Sequence, residues 1–98
     1  MTPDQLKERL AKGEHLMILD VREDDEVAGP GGMIADAQHI PMGRVFTEMS
    51  KGNIAKDKKI VTVCKSGVRS EIVAKELRER GYDIESLEGG MDLWRLSL

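Results

Sequence analysis

Residues 59–81 read KIVTVCKSGVRSEIVAKELRERG, and this stretch decides how the chain folds. The run KIVTV is β-branched after its leading lysine and reads as a strand buried on both faces. Residues 70–80 predict a helix: Ile72, Val73, Glu76, Leu77 and Arg80 divide into an apolar and a charged face, and Gly81 ends it. Between strand and helix lies CKSGVRS, which holds the only cysteine of the chain. A strand that passes through a short loop into a helix is the repeating unit of a parallel sheet.

The alternation continues on both sides. In TPDQLKERL (2–10), Thr2 suits an N-cap, Pro3 the first helical position and Gln5 the return bond of a capping box. Leu6 and Leu10 share a face, and Gly13 closes that helix. HLMILDV (15–21) predicts a buried strand, and REDDEVAGPGG (22–32) a short helical turn followed by a loop. AQHIP (37–41) reads as a short strand stopped by Pro41, and MGRVFTEMSKGN (42–53) as a short helix closed near Gly52. YDIESL (82–87) is a further strand, EGG a turn, and MDLWRLSL (91–98) a last short helix anchored in the core by the only Trp, Trp94. The class is therefore α/β, with a mostly parallel sheet and helices on both faces. In such sheets ligands sit beyond the carboxyl ends of the strands, where Asp20 and Cys64 both fall.

Composition bounds the function. A chain of 98 residues predicts one compact domain over residues 1–98. With 40% hydrophobic and 34% charged residues it is neither a membrane protein nor a disordered one. Only 3% of residues are aromatic, so the core rests on Leu, Ile, Val, Met and Ala. One cysteine excludes an internal disulfide framework and predicts a reducing, cytoplasmic setting. The polar N-terminal segment has no signal-peptide core, and no apolar run approaches the roughly 20 residues a bilayer demands. A net charge of −3 without a basic face excludes nucleic acid as the expected partner.

The loop has a chemistry of its own. With the helix starting at Ser70, six residues, Cys64 to Arg69, turn backbone N–H groups inward at a helix N-terminus. Such a nest of donors favours an anion, and the nearest is the Cys64 thiolate. Lys65 and Arg69 raise the local positive potential. Gly67 permits a positive φ or a close backbone approach, and Ser66 and Ser70 can cap donors or bond a ligand. A lowered thiol pKa would make Cys64 a nucleophile. The competing reading is a small core residue at a strand end.

These residues also carry a family resemblance. CKSGVRS, a Cys-x-x-Gly-x-Arg-Ser loop, resembles the active-site loop of single-domain rhodaneses, the thiosulfate:acceptor sulfurtransferases. LDVRE (19–23) is similar to that family's Asp-Val-Arg strand end, GMIADAQHIP (32–41) to its GHIPGA…IP segment, and LEGGMDLW (87–94) to its Leu-x-Gly-Gly-x-x-x-Trp segment. The four fragments keep family order and cover nearly the whole chain. Met33 stands where the family usually has His, and Asp36 where it usually has Gly. VAGPGG (27–32) is longer than the usual segment, and the chain reaches Leu98 soon after Trp94, without the usual tail. These departures bear on the rim of the site and on partner choice.

The resemblance implies a rhodanese-like fold, a central mostly parallel sheet of about five strands flanked by helices on both faces. It implies that Cys64 takes the outer sulfur of a small anionic donor such as thiosulfate, becoming a persulfide. A thiol or a sulfur-carrier protein then accepts that sulfur. The substrate cradle would be Lys65, Ser66, Gly67, Val68, Arg69 and Ser70, with Asp20 and Arg22 supporting it from beneath; a plain strand-end salt bridge is the other reading of that pair. Arg69 either holds the donor or braces the loop through a carboxylate, while Lys65 is the better candidate for steering thiosulfate. His15 and His39 are read as structural or surface groups, and no metal or organic cofactor is implied.

Three alternatives stay open. The related phosphatases and arsenate reductases place five residues between Cys and Arg; here Lys65, Ser66, Gly67 and Val68 make four. A non-catalytic rhodanese-like module would bind a partner protein, though such modules often lose the cysteine. A sulfur carrier would use the same persulfide chemistry.

Overall fold

In the computed structural model, which describes residues 1–98, helix α1 (Pro3–Ala11) leads into strand β1 (Met17–Asp20) and the short helix α2 (Asp24–Val27). Strand β2 (Gln38–His39), a 3₁₀ turn (Met42–Arg44) and α3 (Val45–Ser50) follow. The chain then forms β3 (Ile60–Val63), α4 (Val68–Glu79), β4 (Ile84–Ser86) and α5 (Gly90–Leu96). The capping box anticipated at Thr2 and Gln5 is present, with the Gln5 N–H donating to Thr2 Oγ1 at 3.1 Å.

The strands lie in the order β2-β1-β3-β4, and every pair is parallel. Asp20 stands opposite Val63, one residue before Cys64, so both strand ends open on one edge as expected. Four strands form the sheet where the family resemblance implied about five. Beyond β4, Met1 N donates to Ser86 O at 3.0 Å and Glu88 N donates to Met1 O at 2.8 Å. That is the bonding of a parallel ladder, centred on Leu87.

Alternation along the strands builds two cores. Leu19, Ile60 and Cys64 face Val45 of α3 and Val73, Ala74 and Leu77 of α4. Ile18, Val61 and Val63 face Leu6 of α1 and Met91 and Trp94 of α5 on the other side of the sheet. Each removal of apolar surface from water contributes about 25 cal/mol per Å² to stability. Cys64 therefore projects to the α4 side, toward that helix's N-terminus.

Two expectations are corrected. Helix α4 begins at Val68, not Ser70, because Gly67 takes φ +103° and turns the chain in four residues rather than six. Ile72, expected on the apolar face, is 48% exposed; the buried stripe is Ser70, Val73, Ala74 and Leu77. Asp36 is the only non-glycine residue with a positive φ, +64°. This is the left-handed region that glycine enters without steric cost, and Asp bears it better than most L-residues.

Asp36→Gly should relieve that strain and stabilise the fold by about 0.5 kcal/mol, a rise of roughly 2–4 °C in Tm. A Tm at or below wild type in a thermal melt would contradict this.

Candidate active site

The setting of Cys64 has features of a core residue and of an anion nest. The residue is 1% exposed and packs in the core, yet its sulfur is not in a purely apolar setting. Sγ accepts from the Gly67 N–H at 3.1 Å and the Ser70 N–H at 3.4 Å, and Ser70 Oγ lies 3.4 Å away. Burial pushes the thiol pKa up. The Ser70 hydroxyl and the N–H groups of Ser70, Gly67 and Ser66 pull it down more strongly, and the net value lies below that of an ordinary thiol. The N–H groups of Lys65, Val68 and Arg69 have no acceptor in the protein.

The turn is braced from two sides. Arg69 makes a two-pronged pair with Glu26, Nη1 to Oε1 at 2.6 Å and Nη2 to Oε2 at 2.8 Å. This is the contact that bracing through a carboxylate requires. Glu26 sits on α2, and Arg22 reaches α2 through Nη1, which donates to Glu26 O at 3.4 Å, while its Nη2 donates to Asp20 Oδ2 at 2.8 Å and to Gly32 O at 2.8 Å. Arg22 and Asp20 are 3% and 1% exposed. A pair so buried, with further bonds to the chain around it, is more than a strand-end salt bridge, because removing one partner would strand a buried charge.

The second brace is α5. The N–H groups of Met91 and Asp92 donate to Cys64 O at 2.8 Å and Lys65 O at 2.9 Å. This contact needs glycine at 90: a Cβ there would strike both carbonyls, Lys65 O at 2.7 Å. The Gly-Gly of LEGGMDLW therefore marks a close approach of two backbones.

Of the predicted site residues, Gly67 and Ser70 touch the sulfur, and Arg69, Arg22 and Asp20 act through Glu26 and the backbone. Lys65 is exposed and pairs with Asp92 at 3.2 Å. The side chains of Ser66 and Val68 are exposed and make no hydrogen bond. A cleft of about 290 Å³ opens beside the loop, lined in part by Arg22, Asp25, Glu26, Lys65, Met91 and Arg95. His39 Nε2 lies 2.7 Å from Arg22 O, a structural role as anticipated. Sequence reasoning missed Glu26, Met91 and Ser86, whose Oγ is 2.7 Å from Ser70 Oγ. Glu26 left one trace, since a carboxylate partner for Arg69 was expected without being named.

No helix is long and apolar enough to cross a membrane. Residues 2–97 match the Rhodanese-like domain family. The chain is 46% identical to YtwF of Bacillus subtilis, a sulfurtransferase by name, over 91% of this chain and 82% of that protein. It is 32% identical to the thiosulfate sulfurtransferase GlpE of Coxiella burnetii, over 88% of this chain and 78% of that one. The crystal structure of a rhodanese-like domain protein from Staphylococcus aureus superposes with a TM-score of 0.86, at 36% identity, over 96% of this chain and 88% of that one.

Glu26 sits well below the usual carboxylate range, at about 2, because Arg69 and the Glu23 N–H hold its charged form. A depressed carboxyl contributes stability above its unfolded pKa of about 4.3 and loses it as pH falls through the folded value. Urea unfolding of wild type and Glu26→Gln should differ by about 1 kcal/mol near neutral pH, the gap closing from about pH 5 to about pH 2. A gap that does not change with pH would count against this role for the pair.

Proposed function

The chain belongs to the rhodanese-like family, and on that premise we propose that it is a single-domain cytoplasmic sulfurtransferase moving sulfane sulfur from thiosulfate, or a persulfide donor, to a thiophilic acceptor through Cys64. One observation carries the reading: two backbone N–H groups and a hydroxyl converge on a buried sulfur. Similarity to a relative named for thiosulfate supports the choice of donor.

The steps follow from charge. The Cys64 thiolate attacks the outer sulfur of thiosulfate; a new S–S bond forms, the old one breaks, and sulfite leaves with the electron pair. The terminal sulfur of the persulfide carries the remaining negative charge. The unpartnered N–H groups of Lys65, Val68 and Arg69 are the donors available to it. Cyanide or a thiolate then attacks that sulfur and Cys64 leaves as thiolate, so the cycle closes without metal or organic cofactor.

The rival readings fit less well. A phosphatase needs its loop arginine on phosphate oxygens, and both prongs of Arg69 are committed to Glu26. A binding module has no use for a thiol set against three donors. A sulfur-carrier role differs only in donor and acceptor.

Intact-mass measurement after mixing with thiosulfate should show a gain of about 32 Da that cyanide removes, the mark of a covalent intermediate on a thiolate. Cys64→Ser should show neither this gain nor turnover, and activity surviving in it would refute the assignment. Lys65→Ala should raise the thiosulfate KM roughly two- to fivefold with little change in kcat, since an exposed charge steers more than it holds. Equal KM values would rule out that role.

A further inference from the structure

Ser86 lies outside the catalytic loop, on β4, and is 7% exposed. Its Oγ is 2.7 Å from Ser70 Oγ and has no other hydrogen-bond partner. Ser70 has one hydroxyl proton and two potential acceptors for it: Gly67 O at 3.2 Å and, once ionised, Cys64 Sγ at 3.4 Å. If Ser70 gave that proton to Ser86, neither acceptor would receive it, and the Ser86 proton would be buried without a partner.

We propose that Ser86 is a positioning residue for the reactive sulfur: its hydroxyl donates to Ser70 Oγ and frees the single Ser70 proton to turn between Gly67 O and Cys64 Sγ. With the thiol protonated, Ser70 Oγ accepts from Ser86 and from the Cys64 S–H and donates to Gly67 O. With the thiol ionised, Ser70 turns its proton to the sulfur while the Ser86 bond stays in place. A hydroxyl that already accepts a bond is the better donor, so Ser86 strengthens the Ser70 bond to the thiolate. Ser86 itself never touches the sulfur.

The charged groups around Cys64 are independent of Ser86. Lys65 on the loop is paired with Asp92 on α5, and Arg69 on α4 with Glu26 on α2. Asp20 is paired with Arg22 at the end of β1, and on β4 Glu85 is paired with Lys59 and the Met1 ammonium. A shift caused by Ser86 therefore reports the hydroxyl and not a lost charge.

The inference rests on the reading of Cys64 as the reacting group, but its test does not need sulfur transfer. The rate of Cys64 alkylation by iodoacetamide against pH gives the thiol midpoint directly. Ser86→Ala and Ser86→Val should each raise that midpoint by on the order of half a pH unit, about a threefold loss of thiolate near neutral pH. Ser86→Thr, matched to Val in shape but bearing a hydroxyl, should hold the wild-type midpoint. Ser86→Ala should have no further effect in a Ser70→Ala background. Identical midpoints for Thr and Val, a Ser86→Ala midpoint equal to wild type, or an undiminished Ser86→Ala effect without Ser70 would overturn the proposal. If thiosulfate leaves the wild-type mass unchanged while the midpoints behave as stated, the sulfurtransferase reading fails and the role of Ser86 stands.

Discussion

A sulfur atom shielded from water must find its ionic stabilisation in the protein, and the turn from β3 to α4 supplies it. Burial alone would keep Cys64 a protonated core residue. The positive φ of Gly67 reverses the outcome by turning its own N–H and that of Ser70 toward Sγ. Because Cys64 itself is 1% exposed, these donors are screened less than they would be in open water. The same enclosure that disfavours the thiolate also strengthens the bonds that restore it.

Two amides and a hydroxyl cannot hold their aim on the sulfur unless the loop is rigid, and the rest of the structure serves that need. Asp20, at the end of β1, fixes Arg22; Arg22 fixes the loop after α2; α2 presents Glu26 to Arg69, on the first turn of α4. From the opposite side the start of α5 takes the carbonyls of Cys64 and Lys65. Amides and carbonyls of one loop are thus held from different directions, the amides free to face an anion while the carbonyls are tied down. Removing any member would loosen the turn without touching the sulfur.

What the sequence made legible was what depends on near neighbours along the chain. The strand before Cys64, the helix after it, the capping box at Thr2 and the Gly-Gly before Met91 each follow from a local pattern, and each is present. The helix start moved by two residues because the φ of Gly67, a torsion and not a composition, decides where the turn ends. Glu26 and Ser86 were missed for another reason. They are separated from Arg69 and Ser70 by 43 and 16 positions, and only the pairing of strands brings them together. Asp36 lay between these cases: its departure from the family was visible, but its left-handed backbone was not.

The donors that face the sulfur belong to the main chain, and this divides the loop into what can change and what cannot. Any amino acid but proline brings an N–H to its position, so the identity of the exposed side chains at 66 and 68 is free as far as anion holding goes. Length is not free. An inserted or deleted residue would rotate every amide after it away from Sγ, even if no residue type in the motif were altered.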